Sequence, residues 1–226
     1  FYPELSMDGG RGGASHTLKR GMDIVLSVLL LTLAFPLFAL LAGLVKCSSR
    51  GPVFFRQVRV GHLMKPFVMY KLRTMYVDVD HQVHHDYVSW FITASHTTKS
   101  TSENNGNTVF KLANDTRITP IGRVLRRTSL DELPQLWNVL LGDMSLVGPR
   151  PPLPYEVGQY KPWHRARMVE AKPGITGLWQ VVGRSRTTFD EMVRLDLQYA
   201  RSMSLWFDVK ILLATPGAMI SGKGAH

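Results

Sequence analysis

Cysteine is nearly absent from this sequence, which has one cysteine, Cys47, in 226 residues. A single cysteine excludes an intrachain disulfide and a cysteine-based zinc site, and it suits a reducing compartment. Charged residues are also few, at 19%, whereas hydrophobic residues make up 45% of the chain. This balance argues against a disordered protein and for a chain that buries a core.

Acidic residues are scarce relative to basic ones, with 17 Asp and Glu against 27 Lys and Arg. The formal net charge of +10 favours an anionic partner: nucleic acid, acidic lipid headgroups or a phosphorylated substrate. The length allows one domain, or one domain with an anchor. Because the chain begins at Phe1 rather than at a methionine, we expect further residues upstream in a longer protein.

Charge is missing altogether from the segment 24–45, "IVLSVLLLTLAFPLFALLAGLV". As a helix this segment would be about 33 Å long, enough to cross the hydrocarbon core of a bilayer. It is too long for a cleavable signal peptide, and no small-residue cleavage site follows it. The sequence therefore predicts a membrane segment, which in its simplest form is a spanning helix kinked at Pro36.

The flanks of this segment favour a different topology. Basic residues stand on both sides of it: Lys19, Arg20, Lys46 and Arg50. Basic flanks prefer the cytoplasmic side, so both ends favour the same face of the membrane. Pro36 lies near the midpoint and breaks the helical hydrogen bonding. A helix broken at Phe35-Pro36 would enter one leaflet and leave on the same face, and both topologies stay open.

The remaining sequence predicts a small hairpin followed by helices. Two strands are expected at 53–60 and 66–75 around a turn at Gly61-His62, and alternation puts Lys71 and Arg73 on one face of the second strand. A short polar helix is expected at 83–93, in a His-rich segment that we interpret as a polar face rather than a metal site. Thr187 or Thr188 is expected to cap a helix that carries Glu191.

The apolar stretch 204–220, "SLWFDVKILLATPGAMI", has hydrophobic residues at helical spacing with Asp208 and Lys210 among them. Two interpretations stay open for this stretch. It is an amphipathic helix packed on the core, or it lies in the membrane interface with Trp206 at the headgroup level.

An adjacent acidic pair, Asp131 and Glu132, stands out in the stretch 126–154. In the structural interpretation, Ser129 begins a helix and forms a Ser-x-x-Glu capping box with Glu132. Alternatively Asp131 is the N-cap, which puts Pro134 in the first turn and leaves Glu132 without a capping role.

Arginines around the acidic pair suggest chemistry. Arg126 precedes the pair, Arg150 follows in a rigid Gly-Pro-Arg-Pro turn, and Arg184 comes after a glycine-rich run. Arginine forks bind phosphate oxygens, a carboxylate can attack phosphorus, and a neighbouring carboxylate can hold Mg²⁺. If these residues meet in space, they are suited to phosphoryl transfer.

Five separated motifs, in this order, resemble the bacterial sugar transferases, the monotopic phosphoglycosyl transferases that act on polyprenol phosphate. The motifs are "KRGMDIVLSVLLLTLAFPLF", "GPVFFRQVRVG", "FVMYKLRTM", "TSLDELPQLWNVLLGDMSLVGPRPPLP" and "KPGITGLWQVVGRS". The resemblance runs from Lys19 to about Leu213. The chain departs from the family at Phe35, where a serine sometimes stands, and in a longer, more polar region at 78–114.

The resemblance implies a reaction and roles for particular residues. A UDP-sugar gives its hexose-1-phosphate to undecaprenyl phosphate and UMP leaves, which begins exopolysaccharide, capsule or O-antigen assembly. Asp131 would be the nucleophile that forms a covalent phosphosugar intermediate, and Glu132 would ligate Mg²⁺. The residues that match substrate-binding positions are Lys71, Arg73, Arg126, Pro149, Arg150, Pro151, Gln180 and Arg184.

The expected fold class is therefore α/β and mainly helical. It is a monotopic membrane protein with a re-entrant proline-broken helix, a small β-hairpin and interfacial amphipathic helices. We expect a flexible lead-in at 1–18, the membrane helix at 19–50 and a catalytic domain at 51–226.

The resemblance places this protein on the cytoplasmic face of a bacterial inner membrane. It implies contact with membrane lipids, no nucleic acid partner, and a homo-oligomer as an open option. Two alternatives remain: an anchored basic protein that binds acidic lipid or nucleic acid, and an anchored Mg²⁺-dependent phosphatase.

Overall fold

The computed structural model describes residues 12–77, Ser89, Ile92, 117–183 and 187–220. This part of the chain is mainly helical. Its helices are α1 (Gly12–Ser48), α2 (Pro120–Thr128), α3 (Gln135–Leu141), α4 (Pro154–Gly158), α5 (Pro162–Glu170), α6 (Leu178–Val182), α7 (Phe189–Arg201) and α8 (Leu205–Ile220). Its strands are β1 (Phe54–Val60), β2 (Pro66–Leu72), β3 (Ser145–Val147) and β4 (Gly174–Thr176).

Helix α1 is a single α-helix of 37 residues with Pro36 inside it. It begins at Gly12, within the predicted lead-in, and it is long and apolar enough to cross a membrane. Its middle faces outward, since Leu33 is 70% and Phe35 is 67% exposed. The long apolar helix is confirmed, whereas a re-entrant path stays a prediction because the helix is assigned without interruption at Pro36.

Both ends of α1 contact the same folded domain. Near its start, Arg20 donates hydrogen bonds to the main-chain carbonyls of Val139 and Leu140 in α3. Near its end, Leu41 and Val45 are buried in a cluster that includes Leu72 of β2 and Leu125 of α2. The exposed apolar middle of the helix thus lies between two docked ends.

The predicted hairpin is confirmed. Strands β1 and β2 pair antiparallel, with Phe55 opposite Lys71 and Gln57 opposite Met69, and a 3₁₀ turn at His62–Met64 joins them. The second strand ends at Leu72, three residues before its predicted end.

A second sheet escaped prediction: β3 and β4 are three-residue strands that pair parallel. They are too short to show an alternating pattern in the sequence.

Neither predicted cap of the acidic pair is present. Ser129 makes no side-chain capping hydrogen bond, and Leu130–Glu132 form a short 3₁₀ turn instead of a helical first turn. Helix α3 begins only at Gln135, after Pro134. The reason lies in the backbone of Ser129, which is left-handed at φ 54° and ends α2. Both acids are therefore displayed from a tight turn between two helices.

Substituting Ser129 should test how this turn is held. A left-handed φ costs an L-residue about 1–2 kcal/mol, and β-branched side chains tolerate it least. We expect Ser129→Gly to raise the free energy of unfolding by up to about 1 kcal/mol and Ser129→Val to lower it by a similar amount, measured by denaturant unfolding. Equal stability of the two variants would contradict a left-handed residue at this position.

Two helix predictions in the C-terminal half are confirmed. Thr188, and not Thr187, caps α7: its side-chain oxygen accepts from the Glu191 amide, and the Glu191 carboxylate accepts from the Thr188 amide. Helix α8 fills the stretch predicted from the apolar residues at 204–220.

Helix α8 buries one apolar face and exposes another. Its Asp208 is fully buried, whereas Trp206 is 67% and Leu213 is 75% exposed. Ile211 is 3% exposed and lies in a core cluster, so the packed alternative accounts for one face of the helix. Apolar exposure with a buried carboxylate favours the interfacial alternative, in which Trp206 and Leu213 contact lipid.

The predicted helix at 83–93 falls mostly outside the described residues. Ser89 and Ile92, which the structure does describe, are both helical, and Ile92 is buried in a cluster with Tyr160 and Phe189. His81, His84 and His85 lie outside the described residues, so their interpretation as a polar face stays a prediction.

Candidate active site

Asp131 lies buried on the 3₁₀ turn, with 7% of its surface exposed. Burial raises the pKa of its carboxyl group from 3.8 to about 6; the charge of Lys71 acts in the opposite direction, and that of Glu132 adds to the rise. A carboxylate that has lost its water but still ionises at neutral pH is a reactive oxygen nucleophile. The turn therefore presents Asp131 in a state suited to attack on an electrophile.

Lys71 and Arg126 accompany the acidic pair as predicted. The Lys71 ammonium lies 2.6 Å from Glu132 Oε1, across from the 3₁₀ turn on strand β2. Arg126, at the end of α2, donates from Nε to the Thr74 hydroxyl at 2.9 Å, and its charge lowers the pKa of Asp131. Two cations thus offset the two carboxylates, and the local site is nearly neutral.

Arg73 does not join this group. Its guanidinium donates hydrogen bonds to the main-chain carbonyls of Val45, Ser49 and Pro52, at and just beyond the end of α1. The strand ends at Leu72, so the alternation that placed Arg73 beside Lys71 no longer applies. The structure gives Arg73 an anchoring position at the end of α1, and its predicted contact with substrate has no geometric support here.

The Gly-Pro-Arg-Pro turn is fixed by main-chain hydrogen bonds on both sides. The Gly148 amide donates to the Thr176 carbonyl at 2.8 Å, and the Gly174 amide donates to the Pro149 carbonyl at 2.9 Å. On the other side, the Val60 amide of β1 donates to the Pro152 carbonyl at 3.0 Å. A Cβ on Gly148 would overlap the carbonyl oxygen of Lys172, so only glycine permits this approach.

The residues within this turn differ in exposure. Pro149 and Pro151 are buried, and Arg150 between them is half-buried. The two prolines thus pack inside the domain, and the predicted role of Pro149, Arg150 and Pro151 in substrate binding stays a prediction. Gln180 of α6 lies against the same turn: a Cβ on Gly177 would meet both the Gly148 carbonyl and Gln180 Oε1, the latter at 2.7 Å. Arg184 lies outside the described residues.

Arg59 is a site residue that the sequence analysis missed. It is 6% exposed, and its Nη1 donates to the Pro151 carbonyl at 3.0 Å. Its Nε and Nη2 both donate to Gln57 Oε1, at 3.1 and 2.7 Å. A signal was present: Gln57 and Arg59 stand at alternate positions of β1, which puts them on one face, whereas Arg56 falls on the other.

The acidic pair fits a magnesium ion. Mg²⁺ is held in proteins by one or two carboxylates, with phosphate and water oxygens completing an octahedron. Asp131 and Glu132 supply two carboxylates from adjacent residues, and Lys71 engages one oxygen of Glu132. Within the described residues no group of three or more His, Cys, Asp or Glu could hold a metal alone. A bound ion would complete its coordination with oxygens from water or from a substrate.

These features together indicate a class of protein that acts on phosphorylated substrates at a membrane. A buried carboxylate, its acidic neighbour and a set of lysine and arginine side chains lie on a domain that contacts both ends of a long apolar helix. Carboxylates and arginine forks in one place are suited to phosphorylated substrates. The helix is suited to a membrane.

Comparison with known proteins places this chain in a family. Residues 14–222 match the family model described as bacterial sugar transferase, and the chain belongs to that family. The resemblance drawn from the five motifs is thereby confirmed.

Individual relatives agree with this assignment. The chain is 42% identical over 221 residues to the UDP-glucose:undecaprenyl-phosphate glucose-1-phosphate transferase of Escherichia coli K12, covering 95% of this chain and 42% of that protein. It is 41% identical over 213 residues to galactosyl transferase CpsE of Streptococcus agalactiae, covering 93% and 44%. It is 36% identical over 215 residues to exopolysaccharide production protein ExoY of Sinorhizobium fredii, covering 95% and 89%.

The lengths of these relatives differ. The chain spans less than half the length of the first two proteins and nearly the whole length of the third. The matches cover more than nine-tenths of this chain, so the matched part of this chain includes its acidic pair, its hairpin and its Gly-Pro-Arg-Pro turn.

Proposed function

We propose that this chain transfers a hexose-1-phosphate from a UDP-sugar to undecaprenyl phosphate and so begins the assembly of an exopolysaccharide, capsule or O-antigen. The observation that carries the proposal is the buried Asp131 carboxylate, with its raised pKa, beside the Lys71–Glu132 ion pair. The names of the relatives support the substrate class, since they specify glucose or galactose and undecaprenyl phosphate.

In the first step a carboxylate oxygen of Asp131 attacks the sugar-bearing phosphorus of the UDP-sugar. The new bond joins that oxygen to phosphorus, and the bond from phosphorus to the bridging oxygen breaks. UMP leaves with the electron pair of the broken bond. Lys71 and Arg126 stabilise the negative charge that develops on the phosphoryl oxygens, because both cations already lie next to the acidic pair.

In the second step an oxygen of undecaprenyl phosphate attacks the same phosphorus. The acyl phosphate bond to Asp131 breaks, the carboxylate is regenerated, and a polyprenyl-diphospho-sugar forms. Each step exchanges one phosphorus–oxygen bond for another, so no oxidant or further reactant is needed. UMP release before lipid attack predicts ping-pong kinetics.

Glu132, with Asp131 beside it, would hold Mg²⁺. When bound, the ion supplies positive charge to the transferred phosphoryl group. The chain itself contributes the orientation of the pair: the left-handed Ser129 and the 3₁₀ turn fix both carboxylates relative to Lys71.

We further propose that the domain sits on the cytoplasmic face of the inner membrane, with α1 re-entrant around Pro36. Support comes from the docking of both ends of α1 on one domain and from the exposed apolar residues of α1 and α8. A helix whose two ends contact the same domain has both ends on one side of a bilayer. This arrangement brings a water-soluble sugar nucleotide and a lipid phosphate to one site.

A panel of UDP-sugars tests the function and identifies the sugar. The chain in membranes that contain undecaprenyl phosphate is given each UDP-sugar, and UMP release and lipid-linked product are followed. We expect at least one glucose, galactose or N-acetylated sugar donor to give both products, and labelled donor alone to leave a hydroxylamine-sensitive adduct on the protein. Lipid-independent hydrolysis without an adduct would favour a phosphatase, and no turnover with any donor would refute a transferase.

A further inference from the structure

A polar stripe runs along the first half of helix α1. Lys19, Asp23 and Ser27 are spaced four residues apart, which places them on one face of the helix. All three are buried, with 8%, 3% and 0% of their surfaces exposed, in a helix whose middle is apolar and exposed. Buried ionisable side chains in an apolar helix require polar partners in the protein and indicate a function beyond anchoring.

The stripe faces the outer edge of strand β3. The Leu146 amide donates to Asp23 Oδ1 at 3.1 Å, and the Lys19 ammonium donates to the Val147 carbonyl at 3.2 Å. The opposite edge of β3 pairs with β4. Leu146 is 3% exposed, so its amide would be buried and unpaired without the Asp23 carboxylate. The side chains of α1 thus take the place of a third strand.

Strand β3 leads directly into the Gly-Pro-Arg-Pro turn, because it ends one residue before Gly148. A strand of three residues makes few hydrogen bonds, so its position depends on each of them. On one edge the Ser145 amide donates to the Pro173 carbonyl, and the Gly148 amide donates to the Thr176 carbonyl, each at 2.8 Å. On the other edge the bond to Asp23 holds the strand two residues before the turn.

The same part of α1 also holds the other half of the candidate site. Arg20 donates to main-chain carbonyls near the end of α3, the helix that follows the acidic pair. Asp23 lies less than one helical turn further along α1 and holds the strand that precedes the Gly-Pro-Arg-Pro turn. One rigid turn of helix therefore connects the element behind the acidic pair with the element in front of the Gly-Pro-Arg-Pro turn.

We propose that Asp23 is a positioning residue for the transfer reaction, and that its hydrogen bond to β3 fixes the Gly-Pro-Arg-Pro turn relative to the acidic pair. The inference rests on the proposed function, with that turn as part of the binding site for the UDP-sugar. Asp23 acts through the main chain of Leu146 and not by contact with the substrate. A displaced turn would hold the donor away from the acidic pair, and a misplacement of about 1 Å can cost about a hundredfold in rate. Helix α1 is thus part of the scaffold of the site as well as its anchor.

Steady-state transfer by the full chain tests this inference, in membranes with saturating undecaprenyl phosphate and with a UDP-sugar that the wild type uses. We expect Asp23→Leu, which has no acceptor for the Leu146 amide, to raise the KM for the donor about tenfold and to lower kcat by a smaller factor. A merely structural role would lower the folded fraction, and so kcat, without changing KM. A KM within about twofold of wild type would overturn the proposal.

Two conservative variants separate the hydrogen bond from the charge. Asp23→Asn keeps an acceptor oxygen and removes the charge, so its KM should stay within about threefold of wild type. If Asp23→Asn is as impaired as Asp23→Leu, the charge matters rather than the hydrogen bond, and the proposal is wrong. Asp23→Glu moves the acceptor by one methylene, so its KM should lie between those of wild type and Asp23→Leu. This variant decides the question if Asp23→Leu does not fold, and an unchanged KM would then count against the proposal.

Ser27→Ala is the matched control. Ser27 lies on the same stripe and is fully buried, but its hydroxyl has no hydrogen-bond partner within the described residues. We expect its KM for the donor to stay within about twofold of wild type. An increase as large as that in Asp23→Leu would show a general disturbance of α1 and would refute a specific role for Asp23.

Hydrogen exchange, followed by mass spectrometry, locates the effect without any turnover. The amides of 145–148 should exchange faster in Asp23→Leu than in wild type or Asp23→Asn, because the outer edge of β3 is no longer held. Unchanged exchange would contradict action through β3. The proposed function fails if wild type transfers no phosphosugar from any donor, whereas the inference fails if wild type is active and the KM or the exchange does not respond to Asp23.

Discussion

Asp131→Asn should abolish phosphosugar transfer, with a loss of at least about a thousandfold in kcat. Asparagine has the same shape as the aspartate and no anionic oxygen to attack phosphorus. The adduct formed from labelled donor should disappear together with turnover. An Asp131→Asn variant with normal turnover would refute the assignment of the nucleophile.

The same substitution should stabilise the fold. Burial raises the pKa of Asp131 to about 6, so the folded state disfavours the ionised form at neutral pH. Below about pH 4 the carboxyl is protonated in both folded and unfolded chains, and the two proteins should be equally stable with respect to this group. As pH rises through 6, wild type loses stability that asparagine keeps, about 1–3 kcal/mol in free energy of unfolding.

Thermal unfolding at pH 4.5 and at pH 7.5 tests this predicted pH dependence of stability. The advantage of Asp131→Asn should be larger at the higher pH, and the activity of wild type should fall as pH drops below about 6, because the nucleophile becomes protonated. Asp143→Asn is the control, since Asp143 lies outside the acidic pair at the end of α3 and accepts a hydrogen bond from Asn138. A control variant with the same pH-dependent gain would contradict the explanation.

Lys19→Met should cause the largest loss of stability, about 3–5 kcal/mol. The Lys19 ammonium is buried and lies 2.6 Å from Asp208 Oδ2, and it also donates to the Val147 carbonyl and the Tyr199 hydroxyl, each at 3.2 Å. Tyr199 in turn lies 2.6 Å from Asp208 Oδ1. Removing the ammonium leaves the fully buried Asp208 carboxylate without its counter-ion. It also removes the ion pair between α1 and α8.

A double substitution separates charge from packing. In Lys19→Met with Asp208→Asn no unpaired charge remains, and the Tyr199 hydroxyl keeps an acceptor. We therefore expect the double variant to recover most of the loss, measured by denaturant unfolding in micelles. Additive effects of the two single changes would contradict a coupled pair. Lys46→Met, on the exposed end of the same helix, should change stability by less than about 1 kcal/mol.

Much of the fold follows from the sequence because its signals are local. The uncharged run at 24–45 and the alternation in 53–60 predict α1 and β1, and Thr188 predicts the start of α7. The parallel pairing of β3 with β4 did not follow, because three-residue strands carry no periodic signal and their pairing depends on a close glycine contact. The predicted caps of the acidic pair were wrong, because the left-handed backbone of Ser129 ends α2 and a 3₁₀ turn follows it.

The sequence predicts those site residues that lie in recognisable motifs. Asp131, Glu132, Lys71 and Arg126 meet as expected. The orientation of Arg73 could not be predicted, because it depends on where β2 ends and on the free carbonyls at the end of α1.

Arg59 escaped prediction for a different reason. A basic residue in a strand is ordinarily a solvated one. Its burial arises only when the Gly-Pro-Arg-Pro turn packs against the end of β1.

The two docked ends of α1 have a consequence for the bilayer. Because one domain fixes both ends, the length of apolar helix between them is constant, and neither end can slide to suit a thicker or thinner leaflet. In the proposed orientation the immersion depth is thus dictated by the folded protein, and lipids must deform around it. The height of Asp131 relative to the polyprenol phosphate would then be the same in membranes of different composition.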